Sequence, residues 1–103
     1  MEFTAKMNKG VCEATVEGEL TIYHAIELKD KLLECINGAD EIVLNMSNVS
    51  ELDTSCFQLL MQAKQTCDEQ EKVFKLVMQS PAVMEVLDLY KMGHFFEQPA
   101  ATV

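Results

Sequence analysis

The chain contains no arginine. Its eight basic residues are all lysines, set against 17 acidic ones for a formal net charge of −9. Proteins that grip nucleic-acid phosphates cluster Lys and Arg on one face or in one run. No such run is present, which argues against nucleic-acid binding and, on the same ground, against an anionic membrane surface. The acid excess suits solubility or a basic partner instead. Long apolar runs are missing too. None approaches the roughly 18 residues of a membrane-spanning helix, so no membrane insertion is expected. Met1-Glu2 leads straight into an alternating strand pattern rather than a leader peptide, and the expected compartment is cytoplasmic.

Recognisable frameworks for metal, redox or cofactor chemistry are equally scarce. Cys12, Cys35, Cys56 and Cys67 form no Cys-x-x-Cys pair, and each falls within an expected strand or helix. That pattern reads as buried reduced thiols rather than a zinc site or a disulfide framework. No stretch has the spacing of a phosphate-binding loop, a dinucleotide fingerprint or a Ser-His-Asp triad, so no cofactor is expected. His24 has no second histidine nearby in sequence and reads as an ordinary surface residue. No acid, base and nucleophile are placed together by the sequence, which argues against an enzyme.

What the chain does contain is enough apolar material for one core. With 103 residues, 49% of them hydrophobic, it reads as a single domain over 1–103 that needs neither disulfide nor metal. The seven methionines are scattered and read as core filler.

Glu2 to Glu17 reads as a β-hairpin turning at Asn8-Lys9-Gly10, with Cys12, Ala14 and Val16 alternating against Glu13, Thr15 and Glu17. Gly18-Glu19-Leu20 then leaves the sheet. A first helix spans roughly Tyr23 to Cys35, with Ala25, Leu28, Leu32 and Ile36 as its inner stripe and Asn37-Gly38 as its stop. Glu41 to Met46 is short, apolar and β-branched, which suits a parallel strand buried on both faces. A polar connection through Ser47, Asn48 and Ser50 follows.

Asp53-Thr54-Ser55 opens a second helix, in which Cys56, Leu60, Ala63 and Cys67 form the inner stripe and Gln58, Gln62, Gln65 and Thr66 face outward. Lys72 to Met78 is another strand. Ser80 and Pro81 open a third helix carrying Val83, Val86, Leu87 and Tyr90, which Gly93 can end. His94-Phe95-Phe96 reads as a last short strand before Pro99, and Ala100 to Val103 as too short for another helix. Strands joined through helices should be parallel with right-handed crossovers. The expected class is α/β: a mixed sheet with an N-terminal hairpin, then alternating helices and parallel strands.

Asp53 is a preferred N-cap, because its carboxylate can accept from unpaired amides of the first turn. Thr54 then stands in that turn with its hydroxyl near solvent. On the residues alone these three are capping residues first and a functional site second.

Gly18-Glu19-Leu20 before the first helix, IVLNM then LDTS at the second, and SPAV at the third together resemble the STAS domain, a family that includes the bacterial anti-sigma factor antagonists. The likeness runs from about Phe3 to Phe96. In the antagonists the residue after the Asp of an Asp-Ser-Ser-Gly or Asp-Ser-Thr-Gly motif is phosphorylated by a partner kinase, itself the anti-sigma factor. By position the resemblance implies Thr54 as phospho-acceptor and Asp53, Thr54, Ser55, Cys56 and Gln58 as partner-binding residues, with Leu59 and Met61 assignable to partner face or core. Two residues depart from the pattern. Thr54 replaces the commoner Ser, adding a methyl that stiffens χ1. Cys56 replaces Gly, adding a side chain where a partner or neighbouring backbone approaches. The last helix of many STAS domains also has no counterpart before Val103.

The role implied is partner switching in transcription regulation: docking on a kinase-type anti-sigma factor, relieved by phosphorylation at Thr54. The same resemblance implies two alternatives. One is a small STAS subunit bound to the ATPase of a phospholipid-trafficking ABC transporter; the other is an adaptor in chemotaxis or other signalling. The expected oligomeric state is a monomer or weak dimer.

Overall fold

Lys9 and Gly10 reverse the chain at its first turn. Both adopt positive φ, 52° and 84°, as a two-residue hairpin turn requires. Strands β1 (Glu2–Asn8) and β2 (Val11–Leu20) therefore run antiparallel, with Asn8 opposite Val11. The computed structural model describes residues 1–96; Pro99 and the expected tail after it lie outside them. β2 does not leave the sheet at Gly18-Glu19-Leu20 but continues to Leu20. Gly18, at φ 95°, sits among register shifts against the next strand, and such a bulge lets a strand bend and go on.

After a 3-10 turn (Ile22–His24) and helix α1 (Ala25–Gly38) comes β3 (Glu41–Leu52). At 12 residues β3 is longer than the sequence suggests, because Ser47 to Ser50 belong to the strand and not to a connection. Its polar residues are tolerated because they lie beside the bulged end of β2, where the Glu17 carboxylate accepts from the Asn48 side-chain Nδ2. Helix α2 (Thr54–Glu69) leads to β4 (Val73–Val77), and the sheet order is β1-β2-β3-β4 with the last two pairings parallel.

One face of the sheet carries Cys12, Ala14, Val16, Ile42, Leu44, Met46, Phe74 and Leu76, all buried. The α1 stripe of Leu28, Leu32 and Ile36 and the α2 stripe of Cys56, Leu60, Ala63 and Cys67 join the same core. On the other face Val43, Asn45 and Val77 are only half-buried and line an open hollow of about 430 Å³ with Thr4 and Lys6. β3 is thus buried on one face, not on both. β4 is shorter than the expected Lys72–Met78, and Met78 is exposed.

Helix α3 (Pro81–Leu89) begins as expected, with the Ser80 hydroxyl accepting from the Val83 amide. It ends on Lys91 rather than Gly93. Lys91 takes φ 55°, its amide bonds to Asp88 and the Met92 amide to Leu87, the paired bonds of a left-handed helix stop. His94-Phe95-Phe96 is not a strand: Gly93–Phe95 is a 3-10 turn. It seats Phe96 in the core, 6.3 Å edge-on from Phe57 and 6.4 Å from Phe74. Lys64, only 2% exposed, bonds Asp68 at 2.7 Å and lies 5.9 Å from the Phe95 ring centroid. The four cysteines are free and buried. Burial above all, then the neighbouring Cys12 thiol, pushes Cys35 up to about 12.

Leu60→Ala should destabilise by about 2–5 kcal/mol because it empties a closed core site. Gln62→Ala, on the exposed side of the same helix, should stay within about 0.5 kcal/mol of the parent. Urea melts giving equal losses would contradict this packing. The native thiols should resist a disulfide exchange reagent at neutral pH, with all four titrating only after denaturation.

Candidate functional site

The site is assembled where β3 runs into α2. Asp53 is extended (φ −95°, ψ 174°) and caps α2. One of its carboxylate oxygens accepts from the Cys56 amide at 3.1 Å and the Ser55 hydroxyl at 2.6 Å. The other accepts from the Ile22 amide of the β2–α1 connection at 2.8 Å. The Asp53 amide in turn donates to Leu20 at 3.0 Å. Partial burial works to raise the Asp53 pKa, but the hydrogen bonds from Ser55, Cys56 and Ile22 outweigh it and hold the carboxyl below its ordinary value.

Thr54 is exposed in the first turn of α2, and its hydroxyl lies 3.3 Å from that of Tyr90. The Tyr90 ring stacks on Phe57 with centroids 5.1 Å apart and planes 13° from parallel. Tyr90, expected in the α3 core stripe, is therefore a surface residue of this site. Sequence spacing could not bring it there, since 36 residues separate it from Thr54.

Of the residues expected at the site, Asp53, Thr54 and Ser55 come together, and Gln58 is exposed one turn further along α2. Ser55 is half-buried with its hydroxyl committed to Asp53. Cys56 is fully buried, and its thiol donates to the Thr21 carbonyl at 3.3 Å. Its side chain fills the space between α2 and the β2–α1 connection and does not reach the surface. Burial, with Asp53 nearby, raises its pKa and keeps the thiol protonated. Leu59 and Met61 are partly buried against the core. His24 is half-buried at the end of the 3-10 turn. Among the described residues no group of three or more His, Cys, Asp or Glu could hold a metal ion. No helix among them is long and apolar enough to cross a membrane.

Residues 4–97 match the family model described as Mlab, STAS domain. No curated protein matches the sequence. Among solved structures, an anti-sigma factor antagonist from Mycobacterium paratuberculosis superposes with a TM-score of 0.82 at 19% identity, over 98% of this chain and 88% of its own. The anti-sigma factor antagonist SpoIIAA in its unphosphorylated form gives 0.78 at 20% identity, over 90% and 84%. The Bacillus cell fate determinant SpoIIAA in the phosphorylated form gives 0.74 at 19% identity, over 90% and 86%. At these identities the likeness is one of fold.

Asp53→Ala should cost about 0.5–2 kcal/mol at neutral pH through loss of the cap. A carboxyl whose folded pKa is depressed stabilises above its unfolded pKa, about 3.9, and that stabilisation is lost as pH falls through the folded value. The gap between wild type and variant in denaturant melts should therefore be full at pH 7 and narrow on acidification below about 4.

Proposed function

The chain belongs to the STAS domain family, and on that premise we propose that it is an anti-sigma factor antagonist: a regulatory binding protein that docks on a kinase-type anti-sigma factor and is switched off by phosphorylation at Thr54. In this role it is the substrate of an enzyme rather than an enzyme. The observation that carries the reading is the unequal fate of the two hydroxyls after Asp53. Ser55 is half-buried and donates to Asp53, whereas Thr54 stands exposed in the first turn of α2. Thr54 offers an exposed oxygen to an incoming phosphoryl group, whereas phosphate on Ser55 would remove its hydroxyl bond to Asp53.

The fold should accept the modification. Phosphate brings roughly −1.5 to −2 charges at neutral pH, and a helix N-terminus gains about 0.3–1 kcal/mol from a nearby anion. Asp53 offsets part of that gain by repulsion. A partner that sets apolar surface on Thr54 has no such compensation, because desolvating a new dianion without a matched cation is costly.

A second reading uses the same surface without phosphate chemistry, as the STAS subunit on the ATPase of a phospholipid-trafficking ABC transporter. The Thr54–Tyr90 contact favours it, since a hydroxyl already engaged within the chain serves as a packing surface.

Thr54→Glu should melt at nearly the parent temperature yet bind the co-purified partner at least tenfold more weakly, about 1.4 kcal/mol. Thr54→Ala should keep binding and refuse phosphate, and Ser55→Ala should still accept it. Partner titration and mass spectrometry after incubation with the co-purified kinase read these outcomes. Phosphate on Ser55 alone, or parental binding by Thr54→Glu, overturns the switch. Loss of binding by Thr54→Ala, with an ABC ATPase and no kinase co-purifying, replaces it with the transporter reading.

A further inference from the structure

We propose that the end of the molecule around the start of α2 is a wider docking face, built for a protein whose contact surface is apolar at its centre and rich in lysine or arginine at its rim. This rests on the binding-protein reading above and specifies the partner's chemistry.

Two apolar groups from distant parts of the chain flank Thr54. At the start of α1, Ile22, Tyr23 and Ile26 are 63%, 91% and 79% exposed. At the end of α3, Leu89 and Tyr90 are 72% and 45% exposed. Hydrogen bonds join both groups to the site: the Ile22 amide to Asp53 at 2.8 Å, and the Tyr90 hydroxyl to Thr54 at 3.3 Å. Large apolar side chains gathered on a polar-rimmed surface mark contact sites, and tyrosines are frequent anchors in them.

The rim is acidic. Glu51 and Glu85 line a depression of about 300 Å³ together with Leu52, Val86 and Leu89. Glu19 stands opposite Glu51 in the β2–β3 register. None of these three carboxylates is in a salt bridge among the described residues. Most of the lysines lie elsewhere. Lys6, Lys9, Lys72 and Lys75 stand in the half of the sheet where β2, β3 and β4 begin, Lys29 and Lys31 are on α1, and Lys64 is buried and paired. Only Lys91 follows the α3 end directly. The rim is thus mainly acidic around an apolar centre, with Lys91 beside it as the exception. Such a field draws an oppositely charged protein face and repels acidic ones and anionic lipid. The depression suits a lysine or arginine whose aliphatic stem lies on Leu52, Val86 and Leu89 while its head meets Glu51 and Glu85.

The test installs a photo-crosslinking residue at Tyr23 and, as a control at the opposite end, at Lys9 of the full-length protein in its source cell. Crosslinked peptides are then sequenced, and the captured partner is titrated against variants. Contact peptides combining apolar residues with lysine or arginine, obtained from position 23 and not from position 9, support the proposal. Tyr23→Ala and Leu89→Ala should each weaken binding at least tenfold at unchanged melting temperature. Glu51→Gln with Glu85→Gln should weaken it and flatten its salt dependence. Acidic contact peptides, equal crosslinking at position 9, no crosslinked protein, crosslinks to a second copy of this chain, binding to phosphatidylserine vesicles, or parental affinity in the variants would each overturn it. Thr54→Glu is run beside them. If it binds normally while Tyr23→Ala does not, the face stands and the phosphorylation switch falls; the reverse result removes the face and leaves the switch.

Discussion

The carboxylate of Asp53 is the joint on which the candidate site of this protein depends. It holds three donors at once: the amide of Ile22, the hydroxyl of Ser55 and the amide of Cys56. The first comes from the β2–α1 connection and the others from the first turn of α2, so one side chain fixes the angle between two segments 31 residues apart. The backbone repeats the link, with the Asp53 amide on Leu20 and its carbonyl accepting from Phe57. Cys56 closes the joint from below by donating to Thr21. Because each of these groups has a partner, Thr54 can stand at the surface without leaving a buried polar atom unpaired.

A second set of contacts brings the end of α3 and the turn after it to the same place. Phe57, one turn into α2, receives Tyr90 on one face and Phe96 at its edge. Phe95 and Phe96 meet edge to face at 5.0 Å, and Lys64 lies over Phe95 with its charge neutralised by Asp68. A buried ammonium is costly unless paired, so Lys64, Asp68 and Phe95 are best understood as one unit. Stacked aromatic pairs add about 0.5–1.5 kcal/mol beyond the area they bury. These contacts hold the end of α3 beside Thr54.

The surface that results combines a hydrogen-bonded frame with an exposed hydroxyl, apolar flanks and carboxylates that form no salt bridge among the described residues. That combination suits recognition by another protein. On the proposed function, a phosphate on Thr54 would enter a region already acidic. The fold supplies a helix N-terminus to tolerate it, whereas a partner must supply a cation or detach.

Much of this was legible in the residues. The hairpin, the three helices, the parallel strands and the capping role of Asp53 follow from turn chemistry, apolar spacing and cap preference, which are local and written into consecutive positions. The stripe Cys56, Leu60, Ala63, Cys67 is buried as its spacing implies. Where longer-range forces compete, the local reading stops short. β2 and β3 run on through polar residues because each supplies the other's hydrogen bonds, which neither strand reveals alone. β3 is open on one face because α1 and α2 both pack on the other. Phe95 and Phe96 form no strand because Phe57, Phe74 and Lys64 offer them a core site instead. Only the tertiary structure put Tyr90 on Thr54, Ile22 on Asp53 and Lys64 out of water, since each pairing joins elements whose relative position is decided by packing. The sequence determined by itself that a helix starts at Asp53 with a hydroxyl beside it. The tertiary structure decided which hydroxyl faces solvent and which residues surround it, because burial and hydrogen bonding consumed the alternatives.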